Sequence, residues 1–491
     1  AEVLELIEAL QSEIDAAILL ISHDVRVVAK LCDRVGMLYA GRILEEGPAE
    51  DVVRAPRHPY TLALLRCVPR LDVGDAPERL EPIPGRAPDT DSPLGGCTFA
   101  ERCPMVRPRC NVDAPPASPV ADSWTSRCHY HAEVPAIRAG ARLANGTPPA
   151  LDAGSLLRID HLSKTYHAGN APIEAVTDVS FDLRHGEVLG LVGESGSGKT
   201  SLARCIVGLT EPSAGSLELD GKDISWSLRE RPRDVRRAVQ MVFQNPDGAL
   251  NHAVTVGGIL RRSLRRLGGD AKGGDAALHD LAAVVRLSPG DLELRPRALS
   301  GGTKQRVAIA RSFAGSPRVV ICDEPVSDLD VSVQAAILNL VRDLREREGV
   351  SYLFISHDLA VVRYVADRIG VMYLGSLVEI GPAAALFEPP NHPYTEALVS
   401  AVPTLPSDEQ RPHITLHGPL PSPSRPPTGC RFHTRCPRFL GDVCRTVEPP
   451  WQDDGRGHRY RCHIAPKDLA GLQRADRVAG RPPTRAESVD V

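Results

Sequence analysis

An eight-residue phosphate-loop pattern, G-x-x-x-x-G-K-T, constrains the fold of this chain more than any other stretch. Its residues are Gly193, Glu194, Ser195, Gly196, Ser197, Gly198, Lys199 and Thr200. An apolar run, 188–192, precedes it and a helical pattern starting at Ser201 follows it. Glycines let the backbone turn so that successive N–H groups point at a phosphate, beside the positive end of the following helix. The order strand, loop, helix therefore predicts a nucleotide site, in which Lys199 neutralises the β- and γ-phosphates and the Thr200 hydroxyl holds Mg²⁺.

Length and charge narrow the class of protein. With 491 residues the chain is too long for one core, so we expect several domains. Charged residues make up 24% of the chain and the formal net charge is −4, which gives no support for nucleic acid as the main partner. No apolar run in the sequence approaches the roughly 18 residues that a membrane span requires. The chain is therefore not expected to cross a membrane.

The sequence also contains an internal repeat. The tetrapeptide Ile-Ser-His-Asp at 21–24 returns at 355–358, 334 positions later, and His-Pro-Tyr-Thr at 58–61 returns at 392–395. Repeats of this length indicate tandem copies of one domain. By the same offset Ala1 corresponds to Ala335. We therefore interpret the first copy as truncated at its N-terminus.

Composition and repeat together give the expected domain boundaries. Within the second copy, apolar strands alternate with amphipathic helices, which predicts an α/β fold with a mostly parallel sheet and helices on both faces. The Ala/Gly/Pro-rich stretch between the copies has the composition of a linker, and the polar C-terminus that of a frayed tail. The first copy is expected as a C-terminal remnant at 1–131, with a Cys-rich extension from about 80, and a linker follows at 132–154. The complete second copy is expected at 155–400, with a second Cys-rich extension at 401–464 and a disordered tail at 465–491.

Two further segments of the second copy carry chemistry. The apolar run 319–322 ends in Asp323 and Glu324, at the edge where open α/β sheets bind ligands. We expect Asp323 to hold Mg²⁺ through water and Glu324 to orient the attacking water. Ser300, Gly301 and Gly302 begin another helix, whose free N–H groups can bind an anion.

In chain order, the phosphate loop, Gln244, the Ser300 segment, the Asp-Glu pair, the segment 327–330 and His357 resemble the ATPase subunits of ABC transporters. The chain closely resembles the oligopeptide/dipeptide importer branch, in a form that fuses two ATPase domains. It shares with that branch the segments 241–246 and 324–334 and two Gly-Cys-x-Phe segments followed by Arg-Cys-Pro. The resemblance implies a P-loop NTPase fold with a helical subdomain, and ATP sandwiched between two head-to-tail domains.

This resemblance implies roles for individual residues. Tyr166 would stack on adenine, Gln244 would sense Mg²⁺ and the attacking water, and His357, with His23 as its counterpart in the first copy, would contact the γ-phosphate. The Ser300 segment would cap the γ-phosphate of ATP bound to the opposite domain. The implied catalytic residues are Lys199, Glu324 and His357, the magnesium-binding residues are Thr200, Gln244 and Asp323, and the nucleotide-binding residues are Tyr166, Gly193, Glu194, Ser195, Gly196, Ser197, Gly198, Lys199, Thr200, Ser201, Gln244, Ser300, Gly301 and Gly302.

Two residues depart from the pattern of the family. Thr303 stands where the family usually has Gln, and Asp328 stands where a small residue is usual, in the loop facing the other domain. The Asp328 carboxylate would lie near the dimer interface and could slow its closure. Neither departure affects the groups expected to bind phosphate.

Eight of the twelve cysteines form two matching sets, spaced C-x5-C-x6-C-x17-C and C-x5-C-x7-C-x17-C. In a reducing compartment four close thiols favour a metal over disulfides, which leaves open an iron–sulfur cluster, zinc, or reduced thiols without a ligand. The resemblance favours [4Fe-4S] clusters, because some members of the importer branch carry one. The sets are Cys97, Cys103, Cys110 and Cys128, and Cys430, Cys436, Cys444 and Cys462; Cys32, Cys67, Cys205 and Cys322 are expected to be small buried hydrophobic residues.

The resemblance predicts an ATP-hydrolysing subunit that energises import of oligopeptides or dipeptides. Its partners would be transmembrane permease subunits, a partner ATPase domain and, indirectly, an extracytoplasmic substrate-binding protein, and the chain would lie peripherally on the cytoplasmic face of the membrane. The chain by itself would lack a complete composite site. Two alternatives stay open, an ATPase switch acting on ribosomes or DNA and a mainly structural half-chain. The transported solute, whether peptide, nickel or another, also stays open.

Overall fold

The computed structural model divides into two compact units. The first consists mainly of Ala1–Gly146, and the second mainly of Thr147–Leu329, Leu340–Val402 and Arg411–Val491. The expected linker at 132–154 lies mostly outside the described residues, which resume at 154 after residue 134. The structure describes residues 17–71, 79–85, 95–134, 154–168, 171–268, 274–404 and 412–483, together with the single positions 7, 11, 13 and 88.

The first unit is built on a four-stranded antiparallel sheet in the order β1-β2-β4-β3. Strand β1 alternates between exposed and buried positions, as a strand with one face on a core should. Its inward side chains pack with α2 and with Trp124 of β4. The elements are α1 (Val25–Leu31), β1 (Arg34–Tyr39), β2 (Arg42–Pro48), α2 (Ala49–Arg54), α3 (Pro59–Cys67), α4 (Pro108–Val112), β3 (Ser118–Ala121) and β4 (Trp124–Ser126).

The second unit begins with an antiparallel sheet in the order β6-β5-β8-β9. Its strands are β5 (Ser155–Ala168), β6 (Ala171–Arg184), β8 (Ala214–Leu219) and β9 (Lys222–Asp223). Irregular register recurs along the pairing of β5 with β6. Leu157 and Phe181 of this sheet belong to the same core cluster as Ile321 of the main sheet, so the two sheets share one hydrophobic core.

The main sheet of the second unit has eight strands in the order β10-β11-β12-β7-β13-β14-β16-β15. The first five strands are parallel to one another, as expected, whereas the last three pair antiparallel, so the sheet as a whole is mixed. Strands β7, β11 and β12 are buried along their whole length, which explains why they read as unbroken apolar runs. The strands are β7 (Val188–Val192), β10 (Val239–Val242), β11 (Val319–Asp323), β12 (Ser351–Ile355), β13 (Arg368–Tyr373), β14 (Ser376–Pro382), β15 (Trp451–Asp453) and β16 (Arg459–Arg461).

Helices alternate with several strands of this sheet along the chain and make up the segment between β10 and β11. That segment is helical, as the expected helical subdomain requires, and it comprises α7 to α11. Ser288 and Asp291 form a capping box that begins α10, because each side chain bonds the backbone N–H of the other. The helices are α5 (Lys199–Val207), α6 (Arg233–Ala238), α7 (Pro246–Ala249), α8 (Val256–Leu267), α9 (Asp275–Val284), α10 (Pro289–Glu293), α11 (Gly301–Phe313), α12 (Val331–Glu348), α13 (Leu359–Val365), α14 (Pro393–Ser400), α15 (Asp442–Thr446) and α16 (Pro466–Ala479).

The expectation of a disordered tail is wrong for most of the part of the tail that the structure describes, because that part forms helix α16. Leu469, Ala470 and Gln473 of this helix are buried. The Gln473 side chain accepts a hydrogen bond from the Asn391 N–H at 2.8 Å and donates one to the Asn391 carbonyl at 2.8 Å. Buried contacts thus hold this segment in place. They could not be inferred from its polar composition.

The repeat is visible in the fold of each unit. The β1–β2 hairpin pairs Arg34 with Pro48, and the β13–β14 hairpin pairs Arg368 with Pro382. In both hairpins the register shifts between the fourth and fifth residues of the first strand. None of the helices in the described ranges is both long and apolar enough to cross a membrane.

Candidate functional site

The phosphate loop connects β7 to α5 at the C-terminal edge of the parallel strands. Gly198 has φ 100° and Gly193 has φ 151°. A Cβ atom on Gly198 would lie 2.1 Å from the carbonyl oxygen of Ala175, and one on Gly193 would lie 2.2 Å from that of Met372. Only glycine fits these positions, so the spacing of the motif follows from the close packing of the loop on neighbouring backbone.

Lys199 lies inside the loop, with 5% of the residue exposed. Its ammonium donates to the carbonyl oxygens of Gly193 at 2.7 Å and Glu194 at 2.9 Å, and to the Ser197 hydroxyl at 3.1 Å. Burial lowers the pKa of Lys199, and the nearby carboxylates, chiefly Glu324, oppose that change. The cation is thus held by neutral oxygens that an anionic phosphate can replace.

Thr200 and Asp323 come together across the edge of the sheet. The Thr200 hydroxyl donates to Asp323 Oδ1 at 3.1 Å, which joins the first turn of α5 to the end of β11. Asp323 is 4% exposed, and burial raises the pKa of its carboxyl. A hydroxyl beside a carboxylate is a donor set that Mg²⁺ accepts, and a cation there would offset the cost of burying the carboxylate.

Glu324 lies between two other predicted site residues. The Gln244 amide donates to Glu324 Oε2 at 3.2 Å, and His357 Nδ1 lies 3.2 Å from the same oxygen. Glu324 has φ 46°, in the left-handed region, and its N–H donates to the Ile355 carbonyl at 3.0 Å. A strained backbone thus turns this carboxylate towards side chains from the ends of β10 and β12.

Ser300 caps helix α11, as its place before two glycines predicts. Its hydroxyl accepts from the Thr303 N–H at 3.3 Å and lies 2.9 Å from the Thr303 hydroxyl, so the unusual Thr303 takes part in the cap. Ser300 and Gly301 are exposed, whereas Gly302 is buried. Among the residues that the structure describes, no hydrogen bond joins this segment to the phosphate loop of the same chain.

Tyr166 lies beside the first turn of α5. Its hydroxyl is 3.5 Å from the Ser201 hydroxyl, and the Lys164 ammonium lies 4.9 Å from the centre of its ring.

The two predicted histidines occupy equivalent positions: His23 is exposed and precedes α1, and His357 precedes α13. Asp24 and Asp358 cap these two helices, so the position of each histidine is set in the same way.

The cysteine sets fold alike in the two units. The Cys97 N–H donates to the Cys110 carbonyl at 2.8 Å, and the Cys430 N–H donates to that of Cys444 at 2.9 Å. All four thiols of the first set line one pocket beside His58 and Phe99; they are Cys97, Cys103, Cys110 and Cys128.

The surroundings of the first cysteine set favour neutral thiols. Burial, with a smaller contribution from neighbouring thiols, raises the pKa of Cys103 to about 12 and of Cys128 to about 11. Within the described ranges, no group of three or more His, Cys, Asp or Glu side chains is arranged to hold a metal ion. The predicted iron–sulfur clusters therefore receive no support from the geometry.

Of the four cysteines outside these sets, Cys67, Cys205 and Cys322 are buried as expected, but Cys32 is only half-buried, because it ends a short helix.

Two residues contact the phosphate loop although the sequence did not predict a role for them at this site. The Glu194 N–H donates to the Tyr394 hydroxyl at 2.9 Å, and Arg435 donates to the Glu194 carboxylate at 2.9 Å. Both belong to repeated segments, His-Pro-Tyr-Thr and Arg-Cys-Pro. The repetition was the available signal, but it does not reveal which element these side chains contact.

Comparison with known proteins gives two family matches. The family described as ABC transporter matches residues 176–327. The family described as oligopeptide/dipeptide transporter, C-terminal region, matches twice, at 44–110 and 378–444. The second family thus recognises both copies of the repeat.

Individual relatives agree with these matches. The oligopeptide transport ATP-binding protein OppD of Mycobacterium tuberculosis is 39% identical over 416 residues, which cover 82% of this chain and 68% of the relative. A protein of Brucella ovis named as a peptide import ATP-binding protein is 43% identical over 309 residues, covering 62% of this chain and 97% of the relative. Among solved structures, a dimeric bacterial ABC transporter cassette has a TM-score of 0.42 and 26% identity, covering 46% of this chain and 98% of that chain.

Proposed function

Because the chain belongs to the ATP-binding proteins of ABC transporters of the oligopeptide/dipeptide type, we propose that it hydrolyses MgATP to energise the import of peptides. The relatives described above are named for peptide transport or import. None of them is named for an action on ribosomes or DNA, and no observation favours that alternative. The proposed partners are transmembrane permease subunits and a second ATPase domain, with an extracytoplasmic substrate-binding protein acting through the permeases. The chain would therefore lie peripherally at the cytoplasmic face of the membrane.

In the proposed mechanism the phosphate loop binds the nucleotide. Lys199 exchanges its carbonyl partners for the β- and γ-phosphate oxygens, and the loop N–H groups surround the β-phosphate. Thr200 and Asp323 would hold Mg²⁺, which neutralises charge on the phosphates when it is bound. Tyr166 lies near Ser201 and would contact the adenine, since aromatic rings offer it a stacking surface.

The hydrolytic step is assigned to Glu324. Its carboxylate oxygen Oε2 already accepts from Gln244 and lies within hydrogen-bond distance of His357. Such a carboxylate can accept a hydrogen bond from the attacking water and turn it towards the γ-phosphate, while Gln244 and His357 fix its position. This shared oxygen is the observation that carries the proposal.

Replacing Glu324 tests the assignment. Glu324→Gln keeps the hydrogen bond to Gln244 but removes the charge, so MgATP should still bind while hydrolysis falls by about two orders of magnitude or more. Lys199→Ala should weaken nucleotide binding itself. The measurements are nucleotide affinity and phosphate release in the full chain, with the exposed Glu293→Gln as control. Full hydrolysis by Glu324→Gln would contradict the assigned role.

We propose further that the chain is organised as two fused ATPase domains and that its composite site needs the Ser300 segment of another domain. Three observations support this organisation: the repeated hairpin, the repeated cysteine set and the double match to the C-terminal family. In an ATP sandwich of head-to-tail domains, the exposed N-terminus of α11 would face the γ-phosphate of the opposite site. The exposed Asp328 would then lie at the same interface.

For the cysteine sets we propose that each binds a metal, with a [4Fe-4S] cluster favoured over zinc. The doubled spacing and the pocket lined by four thiols support the proposal, although the thiols would have to approach one another on binding. Because the raised pKa values mean that binding releases protons, affinity should rise with pH. Iron and sulfide analysis of anaerobically purified protein tests the cluster. Stoichiometric zinc would favour the second ligand, and metal-free protein would contradict both.

A further inference from the structure

We infer that Tyr394 and Arg435 are positioning residues that hold the phosphate loop in its nucleotide-binding shape, acting through Glu194. The inference rests on the proposed binding of nucleotide at this loop. It assigns a function to the His-Pro-Tyr-Thr and Arg-Cys-Pro segments that the proposed mechanism does not use. All of these residues lie in the second unit.

Contacts outside the phosphate loop hold Tyr394 in place. The His392 ring caps helix α14 by accepting from the Tyr394 N–H at 3.1 Å, and Pro393 occupies the first helical position. Burial lowers the pKa of His392 to about 3, so the ring stays neutral and can accept. The Tyr394 side chain is fully buried and packs on Tyr373, with ring centres 4.7 Å apart. Its hydroxyl therefore presents a fixed acceptor to the Glu194 N–H.

Arg435 holds the side chain of the same residue. One guanidinium nitrogen donates to both Glu194 carboxylate oxygens, at 2.9 and 3.2 Å. The Arg435 side chain is 6% exposed and that of Glu194 is 29% exposed. An ion pair with one buried partner is screened less by solvent than an exposed pair. Arg435 thus fixes the Glu194 side chain, while Tyr394 fixes its backbone N–H.

The backbone carbonyl of Glu194 contacts the lysine that is proposed to bind the phosphates. This carbonyl accepts from the Lys199 ammonium at 2.9 Å. When a phosphate takes over the ammonium, the loop loses that internal contact, whereas the contacts to Tyr394 and Arg435 remain. Groups that hold a binding loop in place lower the ordering cost of binding, so these two contacts should increase nucleotide affinity.

The first unit provides an internal comparison. Tyr39 and Tyr60 have ring centres 4.8 Å apart, and the His58 ring accepts from the Tyr60 N–H at 3.0 Å, as in the second unit. Arg102, the counterpart of Arg435, instead donates to the carbonyls of Ile83 and Pro84. In the described part of the first unit, the same aromatic cluster therefore packs without a contact to a phosphate loop, so its packing does not depend on that contact.

Five single variants of the full chain test the inference by titration with a fluorescent ATP analogue. Tyr394→Phe and Arg435→Gln should each weaken binding about three- to tenfold, the range expected for one lost hydrogen bond or partly screened ion pair. The matched changes Tyr60→Phe and Arg102→Gln remove the same groups from the first unit and should leave affinity unchanged. Arg435→Lys should restore part of the loss, because it keeps the charge.

A double-mutant cycle separates positioning from general destabilisation. On a Glu194→Gln background, Arg435→Gln should produce little further loss of affinity, since its partner charge is already absent. An equal loss on both backgrounds, or an equal loss in Arg102→Gln, would overturn the inference. Lys199→Ala serves as the reference: if it leaves affinity unchanged, the proposed nucleotide site itself fails. If Lys199→Ala abolishes binding while Tyr394→Phe and Arg435→Gln bind normally, only the positioning role fails.

Discussion

At the scale of single residues, the site consists of short contacts between side chains that lie far apart in the sequence. Thr200 bonds Asp323, and Glu324 contacts Gln244 and His357, so one sheet edge gathers groups from β7, β10, β11 and β12. The parallel order of these strands makes this possible, because their carboxyl ends meet at one edge. The role of each residue can therefore be tested by a substitution that removes a single functional group of its side chain.

Thr200→Val should uncouple magnesium from nucleotide binding. The change keeps the shape of the side chain but removes the hydroxyl that lies 3.1 Å from Asp323 Oδ1. We expect the gain in ATP affinity on adding Mg²⁺ to fall about tenfold, while affinity in the presence of EDTA changes little. The measurement is ATP affinity with and without Mg²⁺. An unchanged magnesium effect would show that this hydroxyl does not hold the ion.

A second residue-scale prediction concerns pH. His458 is 1% exposed and its Nε2 lies 2.6 Å from Glu379 Oε1. Burial alone would lower the pKa of His458, but the hydrogen bond and charge of Glu379 raise it overall above 6.5. The pair therefore contributes its full stability below about pH 6.5, and that stability is lost as pH rises through the folded pKa.

The first unit suggests the matched variant for this pair. Trp124 occupies the position equivalent to His458, and its indole N–H donates to Glu45 at 3.1 Å. His458→Trp should remove the fall in stability above about pH 6.5. Urea unfolding midpoints measured across this pH range give the test. A fall of equal size in the variant would assign the pH dependence to other groups.

At the scale of elements, strong periodicity and fixed motifs were predictable and long-range pairing was not. The strands β7 and β11 followed from apolar runs, and the start of α5 followed from the phosphate loop. The antiparallel sheet of β5 and β6 did not, because register irregularities interrupt its alternation. Helix α16 was also missed, since its buried face depends on contacts with a distant segment.

Gln473→Ala should destabilise the second unit. It removes two hydrogen bonds to the buried Asn391 backbone and leaves both backbone groups without these partners, at a cost of about 2 kcal/mol. Arg474→Ala, on the exposed side of α16, is the control and should change little. Thermal unfolding of both variants measures the difference. Equal midpoints would mean that α16 contributes little to this unit.

At the scale of the whole molecule, the proposed composite site predicts cooperation between chains. Lys199, Thr200, Asp323 and Glu324 converge on one edge, whereas the exposed Ser300 segment forms no hydrogen bond with that loop in the described part of the chain. If a signature helix from another domain completes the site, hydrolysis per chain should rise with protein concentration. The sequence could not settle this, because the spacing of motifs does not specify which copies meet.

The sharpest test of a composite site is complementation between two inactive variants. Lys199→Ala disables the phosphate loop and Ser300→Arg disables the helix N-terminus, so each variant alone should hydrolyse ATP poorly. In a head-to-tail pair formed by one chain of each kind, one site combines both defects. The other site combines the intact loop of the Ser300→Arg chain with the intact helix of the Lys199→Ala chain. Because electrostatic stabilisation of the transferring phosphoryl needs both elements at one site, mixing should restore hydrolysis to well above the sum of the separate rates. Additive rates at concentrations where the chains associate would show that each site draws its groups from a single domain.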